Sequence, residues 1–111
     1  MAGLIYLASP YSHNNPKVRE FRFLMARLVT VRALRDGVPI FSPIVYGRDM
    51  EKQIGTDHHA WLPLNTAMLE AAKEMWVLKL DQWEASKGII HEVSFARERQ
   101  LPIVYLEAPE V

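Results

Sequence analysis

Residues 74–99 read EMWVLKLDQWEASKGIIHEVSFARER, and this stretch decides the fold class of the chain. Its opening, residues 74–80, is a short apolar run that predicts a strand buried on both faces, as in a parallel sheet. Residues 81–88 are rich in polar and turn-forming side chains, so they predict a loop. From residue 89 to the end of the stretch a helix is predicted, because apolar residues recur at helical spacing; these are Ile89, Val93 and Ala96.

The flanking sequence repeats this alternation of strands and helices. Apolar runs predict further strands at residues 3–8, 38–41 and 102–106. Helical spacing predicts helices at residues 17–36 and 59–72. In the first of these helices the apolar residues expected to face inward are Val18, Phe21, Met25, Leu28, Val31 and Leu34.

One region has no clear hydrophobic period. Residues 44–57 predict a long loop with room for one helical turn, and loops of this length in compact domains are often functional. The whole chain, residues 1–111, is then expected to be one α/β domain. We predict a three-layer sandwich with a Rossmann-like or flavodoxin-like parallel sheet of about four to five strands and right-handed crossovers.

The composition fits one globular domain and excludes several functions. The chain has 111 residues, half of them hydrophobic, with 13 basic and 13 acidic side chains. Balanced charge gives no indication of polymeric nucleic acid or an anionic membrane as a partner. Cysteine is absent, which excludes disulfides and a thiol nucleophile. No apolar run reaches the ~18 residues of a membrane helix, so we expect a cytoplasmic protein.

The loop before the last helix carries the most informative polar residues. Ligands of parallel sheets bind at the carboxyl ends of the strands, where Asp81 ends one strand. Ser86 and Gly88 precede the helix, and its free N–H groups together with Ser86 would seat a phosphate. The alternatives are a plain N-cap for Ser86 and a turn cap for Asp81. Trp83 is a candidate for stacking a base, or else a surface or dimer contact.

Glu92 is the catalytic candidate of the chain. It falls in the first turn or so of the last predicted helix and can project toward the same cleft. We expect the helix dipole to keep its carboxylate ionised, which suits a nucleophile or a stabiliser of an oxocarbenium-like centre. An ordinary acid favoured by the dipole is the alternative interpretation.

The loops after the first two strands add further candidates. Small residues at Ser9 and Pro10 let a ligand approach the backbone, and Ser42 ends the second strand. Tyr11 or Tyr6 can hydrogen-bond a sugar hydroxyl or the nucleophile, although Tyr6 also suits the core. No metal site is expected, because the histidine pair at 58–59 would point in different directions on a helix and no HExxH motif occurs.

Three motifs carry a family resemblance. IYLASPYS at residues 5–12 resembles the opening of the nucleoside 2-deoxyribosyltransferase superfamily, typically YLAGP followed by an aromatic residue. FSPI at residues 41–44 is also similar, and residues 68–96 resemble the strand, loop and helix that carry the superfamily's catalytic glutamate. The resemblance covers nearly the whole chain. It is strongest to a small bacterial and phage branch described as a domain of unknown function, near the nucleoside 5′-monophosphate N-glycosidases.

The resemblance implies roles for individual residues. Glu92 falls on the nucleophile that attacks the anomeric carbon and displaces the base, and Tyr6 falls on the tyrosine that orients it. Ser86 falls where deoxyribosyltransferases usually carry Asp and where the monophosphate N-glycosidases use a serine to hold the phosphate. Ser9 stands where Gly is usual. These matches favour a nucleotide hydrolase over a base-exchange transferase.

One position departs from the pattern of the superfamily. An Asp that commonly helps to protonate the leaving base is matched here by Asn65, which cannot be a general acid. Either Asp81 or a nearby group takes that task, with Asp57 as another option, or the activity is weak or absent. Relatives are generally dimers or larger, which implies a homodimer or homotetramer.

The sequence therefore predicts cleavage of an N-glycosidic bond in a nucleoside 5′-monophosphate or a deoxynucleoside, with Glu92 as nucleophile. The enzyme would be an N-glycosidase or a 2-deoxyribosyltransferase. No cofactor is expected, because carboxylates can assist the departure of the base. The alternative is a non-catalytic nucleotide-binding or sensor module, which Asn65 supports. A third option is an NAD hydrolase of similar architecture that also relies on a glutamate.

Overall fold

A four-stranded parallel sheet forms the centre of the protein. The computed structural model describes residues 3–55 and 57–110. The strands are β1 (Leu4–Ala8), β2 (Ile40–Phe41), β3 (Ala72–Lys79) and β4 (Ile103–Glu107). Their order is β2-β1-β3-β4, and each neighbouring pair is parallel. The predicted α/β class with its parallel sheet is confirmed.

Helices connect successive strands. They are α1 (Pro16–Arg35), α2 (Pro43–Gly47), α3 (Glu51–Ile54), α4 (His58–Ala71) and α5 (Lys87–Glu98). Short 3₁₀ turns at Arg48–Met50 and Trp83–Ala85 complete the connections. The prediction of a long loop at residues 44–57 is wrong, because α2, a 3₁₀ turn and α3 occupy most of this region. Each piece is too short to show a helical hydrophobic period.

Alternating side chains of the central strands build two apolar layers. Ile5 and Leu7 of β1 belong to the cluster packed against α1, whereas Tyr6 and Ala8 belong to the cluster beneath α4 and α5. This period of two is that of a strand whose two faces are both covered. The domain is therefore a three-layer sandwich, as predicted.

The buried face of α1 differs from the predicted one. Met25 is buried as expected, but Phe21 and Leu34 are about half exposed. The buried residues of this helix are Arg22, Met25, Ala26, Thr30 and Ala33. Three of these side chains are small, so the helix can approach the sheet closely, and the larger apolar residues are left on the outer face.

The strand order places a crevice above the central strands. The chain leaves β1 toward β2 on one side, and later returns to β3 on the other side of β1. The carboxyl ends of β1 and β3 therefore flank a switch point, where ligands of open parallel sheets bind. Among the described residues no helix is long and apolar enough to cross a membrane.

Candidate functional site

A cavity of about 430 Å³ opens at this switch point. It is lined from the β1 end by Leu7, Ser9, Tyr11 and Ser12, and from the α2–α4 region by Pro43, Ile44, Gly47, Arg48, Glu51, Trp61 and Asn65. The α5 side adds Ala85, Ser86, Lys87, Gly88 and Glu92. Its size suits a small ligand, and all three loops selected from the sequence contribute to it.

A buried carboxyl group lies at the inner wall of the cavity. Glu92 is 8 % exposed, and Oε2 accepts a hydrogen bond from the hydroxyl of Tyr6, which is fully buried. Burial raises the pKa of Glu92 to about 7, although the Tyr6 hydrogen bond acts in the opposite direction. Burial and the charge of Glu92 also raise the pKa of Tyr6 far above its usual range, so Tyr6 is a donor throughout.

This environment corrects the expectation that the helix dipole keeps Glu92 ionised. Because α5 begins at Lys87, Glu92 lies in the second turn of the helix, where the field of the terminus is weaker. Loss of hydration outweighs that field for a carboxyl group with so little exposure. Near neutral pH the side chain is therefore partly protonated and partly ionised.

The N-terminus of α5 forms the neighbouring wall. Ser86 is the N-cap, and its Oγ accepts from the backbone N–H of Ile89 at 3.3 Å. Lys87 and Gly88, the first two residues of the helix, both line the cavity. A Cβ added to Gly88 would have only Ser86 Oγ within 4 Å, at 3.9 Å. The first-turn amides thus adjoin open space and can receive an anionic group.

Three buried polar atoms of the cavity wall have no protein hydrogen-bond partner. Within residues 3–55 and 57–110, the buried side-chain atoms without a partner are Ser9 Oγ, Arg48 Nη1 and Asn65 Oδ1. All three residues line the cavity. A buried polar group without a partner carries a desolvation cost, which a polar ligand can relieve.

A second set of polar contacts joins the β1 end of the cavity to the α2–α4 region. The hydroxyl of Tyr11 lies within hydrogen-bond distance of both carboxylate oxygens of Glu51, at 3.0 and 2.9 Å. Burial and this hydrogen bond raise the pKa of Tyr11. Arg48 donates to Glu20 at 2.5 Å, and its guanidinium lies 4.2 Å above the ring centre of Phe23. These contacts fix the side chains of Glu51 and Arg48.

Trp61 contributes the aromatic side of the cavity. Its Nε1 donates to the carbonyl of Gly55 at 2.8 Å, so the ring has a fixed orientation. The ring packs against Gly47, where an added Cβ would approach Trp61 to 3.1 Å. The missing side chain at Gly47 therefore leaves room for the indole close to the α2 backbone.

Several predicted site residues lie outside the cavity lining. Pro10 is fully buried, and buried Ser42 caps α2 by accepting from the N–H of Val45. The side chain of Asp81 is exposed, and its carbonyl accepts from Arg22. Trp83 packs on Tyr105 with ring centres 5.7 Å apart and lines a shallow surface depression beside β4. It is therefore not part of the cavity wall.

The cavity also brings together many of the predicted residues. Ser9, Tyr11, Asn65, Ser86 and Gly88 line it together with Glu92, and Tyr6 supports Glu92 from below. The parallel sheet accounts for most of this grouping, because Ser9 and Tyr11 follow β1 and the α5 residues follow β3, while Asn65 reaches the cavity from α4.

Other residues of the site were missed from the sequence. Arg48 and Glu51 lie within residues 44–57, which have no hydrophobic period. Their spacing of three, which places two side chains on one face of a helical turn, is the feature of the sequence that indicates a shared position. Trp61 falls in the helix predicted at residues 59–72, where nothing in the sequence distinguishes a cavity residue from a core residue. Arg22 is not among the apolar residues expected to face inward from the first helix, yet it is 6 % exposed and donates to the carbonyls of Ser12 and Asp81. It thereby ties the loops after β1 and β3 together.

No metal centre is formed by the described residues. In that part of the chain no three side chains of His, Cys, Asp or Glu lie close enough together to hold an ion. The side chain of His58 lies outside what the structure describes. The polar groups of the cavity are instead suited to acid–base chemistry and to binding an anionic ligand with hydrogen-bonding edges.

Comparison with known protein families gives one match. The family described as a domain of unknown function (DUF1937) matches residues 3–108. No curated protein matches the chain. The matched segment includes β1 to β4 and every residue that lines the cavity.

Proposed function

The chain belongs to the DUF1937 family, and from its cavity we propose that it cleaves the N-glycosidic bond of a nucleoside 5′-monophosphate. The observation that carries the proposal is the buried Glu92, hydrogen-bonded by Tyr6 and placed beside the N-terminus of α5. A carboxyl group with a pKa of about 7 is partly ionised at neutral pH and can attack carbon or stabilise positive charge. Such a group next to an anion seat suits a phosphorylated sugar.

The phosphate is assigned to the start of α5. The amides of Lys87 and Gly88 and the hydroxyl of Ser86 offer donors on the α5 side of the cavity, and the hydroxyl of Ser9 offers one more from the β1 end. A helix N-terminus favours negative charge, and a serine N-cap adds a neutral hydroxyl in place of a repelling carboxylate. This seat would hold the sugar with its anomeric carbon toward Glu92.

The chemistry takes place in two displacements. The Glu92 carboxylate forms a bond to C1′ while the C1′–N bond breaks, and the base leaves with the electron pair and takes up a proton. Water then attacks C1′, gives up a proton, and releases Glu92 as a carboxylate. The net reaction converts nucleotide and water into free base and sugar 5-phosphate. Tyr6 keeps Glu92 in position and stabilises its ionised form.

The proton for the departing base is assigned to solvent. Asp81 has an exposed side chain and does not line the cavity, and the carboxylate of Asp57 accepts from the N–H of His59 at the start of α4. Asn65 lines the cavity and offers hydrogen bonds but no acidic proton. The cavity opens to solvent, so water can reach the base as it leaves.

The proposal is tested by measuring free base. The protein is incubated with nucleosides and nucleoside 5′-monophosphates, and released base is separated by chromatography. We expect release from at least one 5′-monophosphate and its loss in Glu92→Gln, which keeps size and burial but removes the nucleophile. Glu84→Gln, an exposed carboxyl change outside the cavity, is the matched control and should keep wild-type release. Equal release by Glu92→Gln and wild type would contradict the proposal.

Asn65 supports a second candidate, a non-catalytic nucleotide-binding module. With an amide at this cavity position, Asn65 cannot protonate a departing base. Binding of a nucleotide measured by calorimetry, with no release of base over many hours, would favour this module over the enzyme.

A further inference from the structure

We propose that Arg22 is a positioning residue, which holds the phosphate seat in shape by selecting the form of the turn that leads from β3 to α5. The inference rests on the proposed function, because this turn carries the part of the seat at residues 86–88. Arg22 itself lies outside the cavity lining and acts through the backbone that it binds.

Arg22 reaches the carboxyl edge of the sheet from α1. This helix begins at Pro16, after the loop that follows β1, so its first turns lie at that edge. Helix side chains lean toward the N-terminus, which directs the guanidinium of Arg22 to the two loops that emerge there. It donates to the carbonyl of Ser12 at 2.9 Å and to that of Asp81 at 3.3 Å.

No carboxylate neutralises this buried cation. Arg22 is 6 % exposed, and within residues 3–55 and 57–110 no ion pair includes it. The loss of hydration therefore offsets much of what its hydrogen bonds contribute to the stability of the fold. The main consequence of the contact is geometric, because the planar guanidinium fork fixes two backbone carbonyls relative to each other.

The turn at residues 80–83 has a strained residue at its third position. The N–H of Trp83 donates to the carbonyl of Leu80 at 3.0 Å, which closes a β-turn, and Gln82 has φ of 65° and ψ of 21°. Asp81, at the second position, does not have a positive φ, so the pattern is that of a type II turn. A type II turn favours glycine at the third position, whereas glutamine favours type I.

The two turn forms differ by a flip of the central peptide. Between type I and type II, ψ of the second residue and φ of the third each change by roughly 150–170°. This rotation reverses the direction of the Asp81 carbonyl, which is the group that Arg22 binds. The bond therefore stabilises the type II form and keeps Gln82 in the left-handed region. Ser86 follows after the 3₁₀ turn at Trp83–Ala85, so the form of the turn sets where α5 begins.

The form of the turn is measured by nuclear magnetic resonance without any ligand. In type II the Hα of Asp81 lies close to the amide hydrogen of residue 82 and gives a strong nuclear Overhauser effect, which is weak in type I. We expect a strong effect in wild type and a weak one in Arg22→Met. Adding Gln82→Gly should restore it, because glycine adopts positive φ without steric cost. Gln100→Gly, at the second left-handed glutamine, should not.

The effect on the phosphate seat is measured by calorimetry in Glu92→Gln protein, which lacks the nucleophile. The ligands are the adenine, guanine, cytosine and uracil nucleoside 5′-monophosphates and the matching nucleosides. We expect Arg22→Met to weaken nucleotide binding by about tenfold, since only the fraction with a type II turn keeps the seat, and nucleoside binding by less than about threefold. Arg22→Lys, whose ammonium can bind one of the two carbonyls, should give an intermediate nucleotide affinity.

Glycine rescue and a matched arginine variant complete the test. Adding Gln82→Gly to Arg22→Met should bring nucleotide affinity back to within about threefold of the Glu92→Gln parent. Arg27→Met, the same exchange at an exposed position of α1, should change neither the turn nor the affinity. A strong Overhauser effect in Arg22→Met, equal weakening of nucleotide and nucleoside, or failure of the glycine rescue would overturn the proposal. If the parent bound no nucleotide, the proposed function would be refuted, and a weak Overhauser effect in Arg22→Met would still support selection of the turn by Arg22.

Discussion

Tyr6 on β1 donates its hydroxyl hydrogen to Glu92 on α5, across 86 positions of the chain. The contact joins the central strand to the helix whose N-terminus lines the cavity, and both side chains are buried. The ionised form of a buried carboxyl group with one neutral hydrogen-bond donor is stabilised less than it would be in water. Its pKa of about 7 is the result, and several measurable properties depend on that value.

The rate of base release should rise with pH around neutrality. A nucleophilic Glu92 acts as the carboxylate, and burial raises its pKa to about 7, so activity should be low at pH 5 and level off above pH 8. The measurement is the pH profile of kcat at saturating nucleotide. Glu84→Gln should give the same midpoint. A rate that is flat or falls between pH 5 and 8 would argue against an ionised Glu92 in the reaction.

Tyr6→Phe should move this midpoint upward. The Tyr6 hydrogen bond lowers the pKa of Glu92 against the effect of burial, so its loss should raise the midpoint by about one pH unit and reduce the rate at pH 7 by roughly fivefold. The rate on the alkaline plateau should be largely retained. Tyr46→Phe removes an exposed tyrosine hydroxyl and serves as the control. An unchanged midpoint with a lower plateau would indicate a purely structural role for Tyr6.

Glu92→Gln should make the protein more stable at alkaline pH. The folded pKa of Glu92 is about 7 against 4.5 for an exposed carboxyl, so the folded state binds more protons between these values. The free energy of unfolding therefore falls as pH rises through this window, on the order of 3 kcal/mol in total. Denaturant unfolding should show that the free energy of unfolding of the variant, relative to that of wild type, is higher at pH 8 than at pH 4.5. The same difference in free energy of unfolding between the two proteins at both pH values would contradict the raised pKa of Glu92.

The sequence predicted the sheet and the inner part of the site for a clear physical reason. Apolar runs and helical spacing report burial, and the parallel sheet then brings Ser9, Ser86 and Glu92 to one edge whatever the details of packing. The predictions for these positions needed no knowledge of side-chain geometry.

The outer wall could not be predicted in the same way. Trp83 lies among polar residues and Trp61 stands between Ala60 and Leu62, and neither pattern tells which ring faces the cavity. Trp83 packs on Tyr105 because its 3₁₀ turn directs it toward β4. Arg22 is buried since two backbone carbonyls accept from it, and a hydrophobic pattern carries no record of such long-range bonds.

Ser86 variants should separate its capping role from its phosphate role. Ser86→Ala loses the bond from the Ile89 N–H and should cost about 1 kcal/mol of stability. Ser86→Asp keeps an N-cap acceptor but places a negative charge at the phosphate seat, so stability should be retained while 5′-monophosphate affinity falls by about tenfold or more relative to the nucleoside. The measurements are denaturant unfolding and calorimetric titration. Unchanged discrimination between nucleotide and nucleoside in Ser86→Asp would place the phosphate elsewhere.

Gly88→Ala should improve folding and impair binding. Gly88 has helical backbone geometry, and an added Cβ would meet only Ser86 Oγ at 3.9 Å, so packing does not require glycine at this position. Alanine favours the helix by up to about 1 kcal/mol, whereas its methyl group would occupy space that a phosphate needs close to the backbone. We expect a higher Tm together with nucleotide affinity lowered by about tenfold. Ser94→Ala, on the exposed side of α5, should leave affinity unchanged. Wild-type affinity in Gly88→Ala would show that the ligand does not approach the first turn of α5.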